Sequence, residues 1–207
     1  MKKLLKWTGI VVGSLFALVL LAAVLVPILF KDDIKKAIDE GLAKSVNADV
    51  LFDIENFDLT LFKNFPNVTA SMKDLGVFNR APFEGDYLFV VKSMEVEINL
   101  KDVLFGDQLR IKGITLVEPM INVKVLPDGK ANYDIAMPSE EVVEEESGDG
   151  SFSLGIDHWE IVNGDLKYDD QSLPFLLSMK GLNHTGSGDF TQYVFDLKTS
   201  TTIDSIT

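Results

Sequence analysis

The spacing of hydrophobic residues changes twice along the chain, and the first stretch is entirely uncharged. Residues 7 to 30 contain no Asp, Glu, Lys, Arg or His. A helix of that length covers about 36 Å at about 1.5 Å per residue, which is enough for a hydrocarbon core of about 30 Å. The pattern therefore predicts a membrane-spanning anchor, whose course is marked by Trp7, Leu15, Leu20, Leu25 and Phe30.

A cleaved signal peptide is the alternative for this stretch, because three lysines precede it and two small residues, Ala22 and Ala23, lie late in it. The apolar run continues past these alanines to Phe30, which favours an anchor that stays in place. The lysines before the span and the mixed, net acidic flank after it predict a cytoplasmic N-terminus. Residues 1 to 30 would then be the cytoplasmic tip and anchor, and residues 31 to 207 would be exported.

Residues 31 to 47 change to the spacing of an amphipathic helix. Their apolar side chains recur every three or four residues, with Asp and Lys on the other side. Such a stripe needs a sheet to cover it. The stripe consists of Ile34, Ala37, Ile38, Leu42 and Val46.

From Ala48 the apolar positions alternate with a period of two, which is typical of β-strands. The pattern is clearest where Met94, Val96, Ile98 and Leu100 alternate with charged and amide side chains. Residues 109 to 118 and 120 to 125 are predicted as two further strands, and Pro119 between them is predicted to mark a strand start or a bulge. A turn over residues 126 to 130 follows. Residues 48 to 137 form the first β-rich region.

Residues 138 to 150 carry six acidic side chains and no basic one. Such a run repels itself and buries little apolar area, so it predicts a flexible linker or loop. The spacing of a calcium-binding loop is absent, which favours a solvated run over a metal site. Residues 151 to 207 resume short alternating strands and predict a continuation of the same sheet. They end without a capping element, so we expect the natural chain to be longer.

The amino-acid composition argues against some partners and excludes some kinds of cross-link. The chain has 19 Lys and Arg against 32 Asp and Glu, a formal charge of −13, which makes nucleic acid an unfavourable partner. It has no cysteine, so disulfides, thiolate catalysis and cysteine-ligated metals are excluded. Two sequons, at Asn67 and Asn183, matter only in a eukaryotic secretory pathway.

No signature of an enzyme is present in the sequence. His158 and His184 lack the partners that a zinc site needs, and no nucleophile elbow, phosphate-binding loop or metalloprotease motif occurs. Asp165, Asp169 and Asp170 could act as acid and base in a hydrolase, but carboxylates on the wet face of a strand explain them as well. We therefore expect no catalytic residue, no cofactor and no metal.

The order of these parts resembles the N-terminal part of the AsmA family. The likeness consists of the single span, the amphipathic helix, the Phe65-Pro66 step, the strand that ends in a short helical turn, and the segment from residue 109 to 134. The last segment is the most specific piece. Residues 161 to 170 resemble the strand that follows the variable loop in such proteins, whereas family members are usually longer than this chain.

The resemblance implies an envelope protein of Gram-negative bacteria, anchored in the inner membrane with its β-rich part in the periplasm. That part is related to chorein-type bridge-like lipid transfer proteins, which carry phospholipid along a groove. The expected partners are phospholipid of the inner membrane and outer-membrane or other envelope proteins. The family is not known by a catalytic residue, so none is carried over.

The expected fold is mainly β, with one transmembrane and one amphipathic helix and a twisted, mostly antiparallel sheet that forms a groove. A closed β-sandwich is the structural alternative, because one amphipathic helix cannot cover so much apolar sheet. The functional alternative is a membrane-tethered assembly factor that affects outer-membrane protein insertion. The candidate lipid-contacting residues are Met94, Val96, Ile98, Leu100, Leu109, Ile111, Ile121 and Val123.

Overall fold

The computed structural model describes most of the chain beyond the predicted anchor. The described residues are Trp7, Ile10, Gly13, Ser14, and residues 31–60, 63–105, 111–137, 156–188 and 196–207. None of the helices in these residues is long and apolar enough to cross a membrane. The predicted span lies almost wholly outside them, as do Leu109 and the acidic residues 138 to 150; of the anchor positions, only Trp7 is described, as an exposed helical residue.

The predicted amphipathic helix is present and is named α1, Lys31–Ser45. Asp32 and Asp33 lie in its first turn and Lys44 in its last, which complements the helix dipole. Its C-terminal end is tied to a distant segment, because the amide of Met137 donates to the carbonyl of Ser45 at 2.9 Å. This bond satisfies one of the carbonyls that a helix end leaves without a partner.

The strands are long where the alternating pattern is long. They are β1 Ala48–Leu51, β2 Phe57–Thr60, β3 Asn67–Asn79, β4 Tyr87–Asn99, β5 Ile111–Val125, β6 His158–Asp170, β7 Phe175–Ser187, β8 Lys198–Thr202 and β9 Ser205–Ile206. A 3₁₀ turn, Ile54–Asn56, precedes β2, and a short helix α2, Leu100–Phe105, follows β4.

All nine strands belong to one sheet in the order β1-β3-β4-β5-β6-β7-β8, with β2 also pairing with β3 and β9 with β7. Every pairing is antiparallel except that of β5 with β6, which is parallel. The mainly β fold is confirmed, and the sheet is open and mixed. The described residues do not form the closed sandwich considered as the alternative.

Two predictions about strand boundaries are wrong. Leu100 does not continue β4 but begins α2, because the side chain of Asn99 accepts a hydrogen bond from the amide of Lys101 at 2.8 Å and so starts a helical turn. The two strands predicted on either side of Pro119 are a single strand, β5. Glu118, with a φ of 52°, lets the chain pass through Pro119 without leaving the sheet.

A buried amide cluster locks the turn after β5 to the end of β3. Asn132 is 1% exposed; its side-chain nitrogen donates to the carbonyl of Asn122 at 2.7 Å, and its side-chain oxygen accepts from the amide of Lys124 at 2.9 Å. Asn79 completes the cluster, because its side chain donates to the carbonyl of Asn132 at 2.6 Å. The turn itself uses Gly129 at a φ of 85°, where a side chain would be strained.

We expect Asn132→Ala to destabilise the folded domain by about 1 to 3 kcal/mol, because it leaves buried donors and acceptors of Asn79, Asn122 and Lys124 without partners. The measurement is urea unfolding followed by circular dichroism. Asp134→Ala is the matched control, since Asp134 is exposed in the same segment and its loss should change stability by less than about 0.5 kcal/mol. Equal stability of the two variants would contradict the structural role of the cluster.

Candidate functional site

Apolar residues form continuous lines across the sheet, perpendicular to the strands. Residues that pair across neighbouring strands point to the same side of a sheet, so each line can be followed through the register. The first line runs through Phe57, Met72, Met94, Leu116 and Ile161, and the second runs through Val50, Val77, Phe89, Ile121, Leu166, Met179 and Ile206.

Both lines lie on the same face of the sheet, although simple alternation would place them on opposite faces. Met72 and Val77 are five residues apart in β3, an odd spacing, yet both line one cavity. The spacing between the two lines is also five residues in β4, β5 and β6. In each of these strands, the side chains therefore change face once, by one residue, between the first line and the second. The change occurs at the same height along all the strands.

Residues with a left-handed backbone mark this level. Asp74 in β3, Glu118 in β5, Asn163 in β6 and Gly181 in β7 have φ values of 54°, 52°, 53° and 64°. A residue in this conformation turns the following side chains to the opposite side, and the conformation is unfavourable for most residues other than glycine, asparagine and aspartate. We call these four residues the left-handed row, and the side of the sheet that carries both lines the apolar face.

Helix α1 covers the first part of the apolar face and leaves a cavity of about 350 Å³ beneath it. Only one of the residues that line the cavity, Ser71, is polar. The volume falls in the range of small-ligand sites, and the composition favours an apolar ligand. The apolar lining consists of Ile38, Leu42 and Val46 of α1 with Val50, Phe52, Phe57, Ala70, Met72, Leu75, Val77, Met94, Val96 and Ile135.

Over β6 and β7, the described residues cover the apolar face only in part. No apolar side chain of β6 or β7 is fully buried, although β6 contributes Trp159, Ile161 and Leu166 to this face. At the far side, Phe175 is 50% exposed and Ile206 is 58% exposed. The result is a wide, partly exposed apolar surface next to a partly enclosed apolar cavity.

The predicted contact residues are divided between these two parts. Met94 and Val96 line the cavity, and Ile98 continues the same side of β4 towards its end. Ile121 and Val123 lie on the uncovered part, paired with Leu166 and Tyr168. Ile111 pairs with Ile98 next to an irregularity in the register, Leu100 lies in α2, and Leu109 is outside the described residues.

Sequence reasoning missed Ile114, Leu116, Ile161 and Leu166, which belong to the same face as the predicted residues. Strict alternation places Leu116 and Ile121 on opposite faces, so only one set was chosen within β5. Nothing in the alternating pattern of residues 111 to 125 marks this change of face.

The three aspartates considered for acid–base chemistry do not converge on one site. Asp169 and Asp170 are consecutive in β6 and point to opposite faces. Asp165 accepts a hydrogen bond from the amide of Gly181 at 3.2 Å. Asp170 is 5% exposed and closes the next turn by accepting hydrogen bonds from the hydroxyl and amide of Ser172, and these bonds, led by that of the hydroxyl, lower its pKa.

The two histidines contact side chains of other strands. The ring of His184 lies 2.8 Å from the hydroxyl of Thr201 through Nδ1, and His158 lies 3.4 Å from the carboxylate of Glu97 through Nε2. The described residues contain no group of three or more His, Asp or Glu side chains arranged to hold a metal ion.

The fold and the site define an open-sheet protein that presents one long apolar face, partly closed by an amphipathic helix. Comparison with known families shows that the chain belongs to the AsmA family, whose model matches residues 1–187. No curated protein gives a significant match. Membership supports, at the level of the family, a role in biogenesis of the cell envelope and outer membrane.

We expect Asn163→Val to destabilise the domain by about 1 to 2 kcal/mol, because a β-branched residue tolerates the left-handed conformation poorly. Asn163→Gly should be neutral or slightly stabilising, since glycine adopts this conformation without strain. Urea unfolding distinguishes these outcomes. Lys167→Val, at an exposed position of the same strand outside the left-handed row, is the control and should change stability little.

Proposed function

We propose that this protein is an inner-membrane-anchored periplasmic protein that moves phospholipid along its apolar face, without an enzymatic step. The observation that carries the proposal is the incomplete cover of that face. Apolar lines cross up to seven strands, whereas α1 covers only the part formed by β1 to β4. Acyl chains are a covering layer of matching chemistry.

The energetics favour acyl chains as the occupant. Each methylene group that leaves water for an apolar surface contributes about 0.8 kcal/mol, and no directional bond has to be formed or broken. An acyl chain can therefore slide from one line of side chains to the next at nearly constant free energy. The headgroup would stay in water at the margin of the sheet, where the strand ends carry charged and amide residues.

The cavity beneath α1 gives the proposed path a defined first position. The predicted membrane span ends directly before α1, so this cavity is the part of the apolar face that lies closest to the membrane along the chain. We propose that an acyl chain enters here from the outer leaflet of the inner membrane and continues across β5, β6 and β7.

Photocrosslinking in cells tests the proposed path. A photoreactive side chain at Ile98, Leu116 or Ile121 should label phospholipid, because these positions belong to the apolar face. The neighbouring positions Glu97, Thr115 and Asn122 are the matched controls on the opposite face and should label it at least about fivefold less. Equal labelling of the paired positions would refute the path, and the assembly-factor alternative would then be preferred.

Filling the cavity tests whether it binds an acyl chain. Ala70→Trp should weaken the binding of a fluorescent fatty acid to the purified, detergent-solubilised protein by about tenfold, the effect of excluding about two methylene groups. Lys73→Trp adds the same side chain on the opposite face and should leave binding unchanged. Titration of the fluorescence gives both constants, and unchanged binding by Ala70→Trp would exclude the cavity as the site.

A further inference from the structure

The face opposite the apolar face, which we call the polar face, carries a trough of about 860 Å³. Its floor is a line of paired residues, Leu51, Gly76, Val90 and Met120, which continues to Asp165 in β6. All four residues of the left-handed row line it. The backbone change that keeps the apolar face continuous therefore also shapes this second surface.

The two ends of the trough differ in chemistry. At the β1 to β5 end the floor is apolar, and its side chains are accessible: Leu51 is 59% exposed and Met120 is 46% exposed. The ring of Phe78 lies against Gly76 and fills the space that a side chain at that position would need. Exposed apolar side chains that lie together in a concave surface mark binding sites, whereas single ones do not.

The β6 to β9 end of the trough is acidic. Asp165 and Asp204 line it together with Lys180, and the side chain of Asp204 lies against Gly181. Nearer the middle, Lys92 is already paired with Glu118 at 2.7 Å, and Asp74 adds a further carboxylate. Four carboxylates against two lysines give the trough a net negative charge, which disfavours phosphate and nucleic acid and favours a basic group.

The left-handed row adds a reason to regard the trough as functional. Three of its residues are not glycine; Asp and Asn adopt this conformation more readily than other residues, whereas Glu118 costs about 1 to 2 kcal/mol there. Strain of this kind is concentrated at binding and catalytic sites more often than elsewhere. Here the strained residues line the trough on the polar face. Lipid, which we place on the apolar face, would not contact them.

The length of the trough fits a polypeptide segment. From Leu51 in β1 to Asp204, which lies between β8 and β9 at the far edge of the sheet, it crosses six spacings between neighbouring strands, or about 29 Å at about 4.8 Å each. That is the length of about eight or nine extended residues. We propose that the trough docks a partner protein through an extended segment in which apolar side chains, seated over β1 to β5, are followed by lysine or arginine over β6 to β9.

Peptide binding to the full-length protein in lipid nanodiscs tests this proposal. The probe is a fluorescent nine-residue peptide with leucines in its first half and two arginines near its end, and the matched peptide has two glutamates instead. Fluorescence anisotropy should show binding of the arginine peptide and at least tenfold weaker binding of the glutamate peptide. Absence of binding by the arginine peptide, or equal binding of both, would overturn the proposal.

Variants of the trough locate the bound peptide. Met120→Glu should abolish binding, and Asp165→Asn with Asp204→Asn should weaken it about three- to tenfold, the effect of removing two exposed charges. Asp165→Asn keeps the oxygen that accepts from Gly181, so the strand pairing is preserved. Asp58→Asn, an exposed position on the same face outside the trough, is the charge control and should bind normally. Equal weakening by the control would overturn the proposal.

Two further measurements distinguish a peptide bound in the trough from a peptide bound elsewhere and from a second copy of this chain. Excess fatty acid should not displace the peptide, because lipid is placed on the other face; displacement would show that the peptide occupies the apolar face and would overturn the proposal. Sedimentation of the free protein should give the same mass for the wild type and Met120→Glu. A dimer that Met120→Glu dissociates would instead assign the trough to contacts between two copies of this chain.

Discussion

The constraint on which the structure depends is that paired residues of neighbouring strands share one side of the sheet. A strand that shifted its alternation alone would turn its apolar side chains away from those of its neighbours. The shift is therefore made at one level in β3, β4, β5 and β6, so that Met72, Leu116 and Ile161 share a face with Val77, Ile121 and Leu166. The strain of the left-handed row is offset by the apolar contacts that this arrangement keeps together.

Much of the architecture could be predicted from periodicity, because period and length depend only on local sequence. Helix α1 and the long strands follow from it. Which residues share a face could not be predicted in this way, because alternation assigns faces only as long as a strand alternates without interruption. A positive φ at Glu118 or Asn163 interrupts the alternation and leaves no trace in a hydrophobic pattern. The parallel pairing of β5 with β6 is likewise a tertiary choice, set by strands 32 residues apart in sequence.

The two faces of the sheet have different surface chemistry, and the same residues shape both. On the apolar face the shift in alternation joins two sets of apolar side chains into one surface, part of it closed by α1 and part uncovered. On the polar face it leaves a line of apolar residues, including Val90 and Met120, along the floor of the trough. A protein that handles lipid and also docks a partner would need such separation, because one ligand then does not compete with the other.

The parallel pairing of β5 with β6 divides the sheet into two antiparallel units, one from β1 to β5 and one from β6 to β9. Within the second unit, four residues connect β6 to β7, whereas 32 residues connect β5 to β6. By the scaling of loop-closure entropy, joining the two units costs about 2 kcal/mol more than closing that hairpin. The sheet thus consists of two units, each built from strands with short connections. Because the connection between the units is already long, lengthening or shortening it by a few residues changes the entropy of loop closure little.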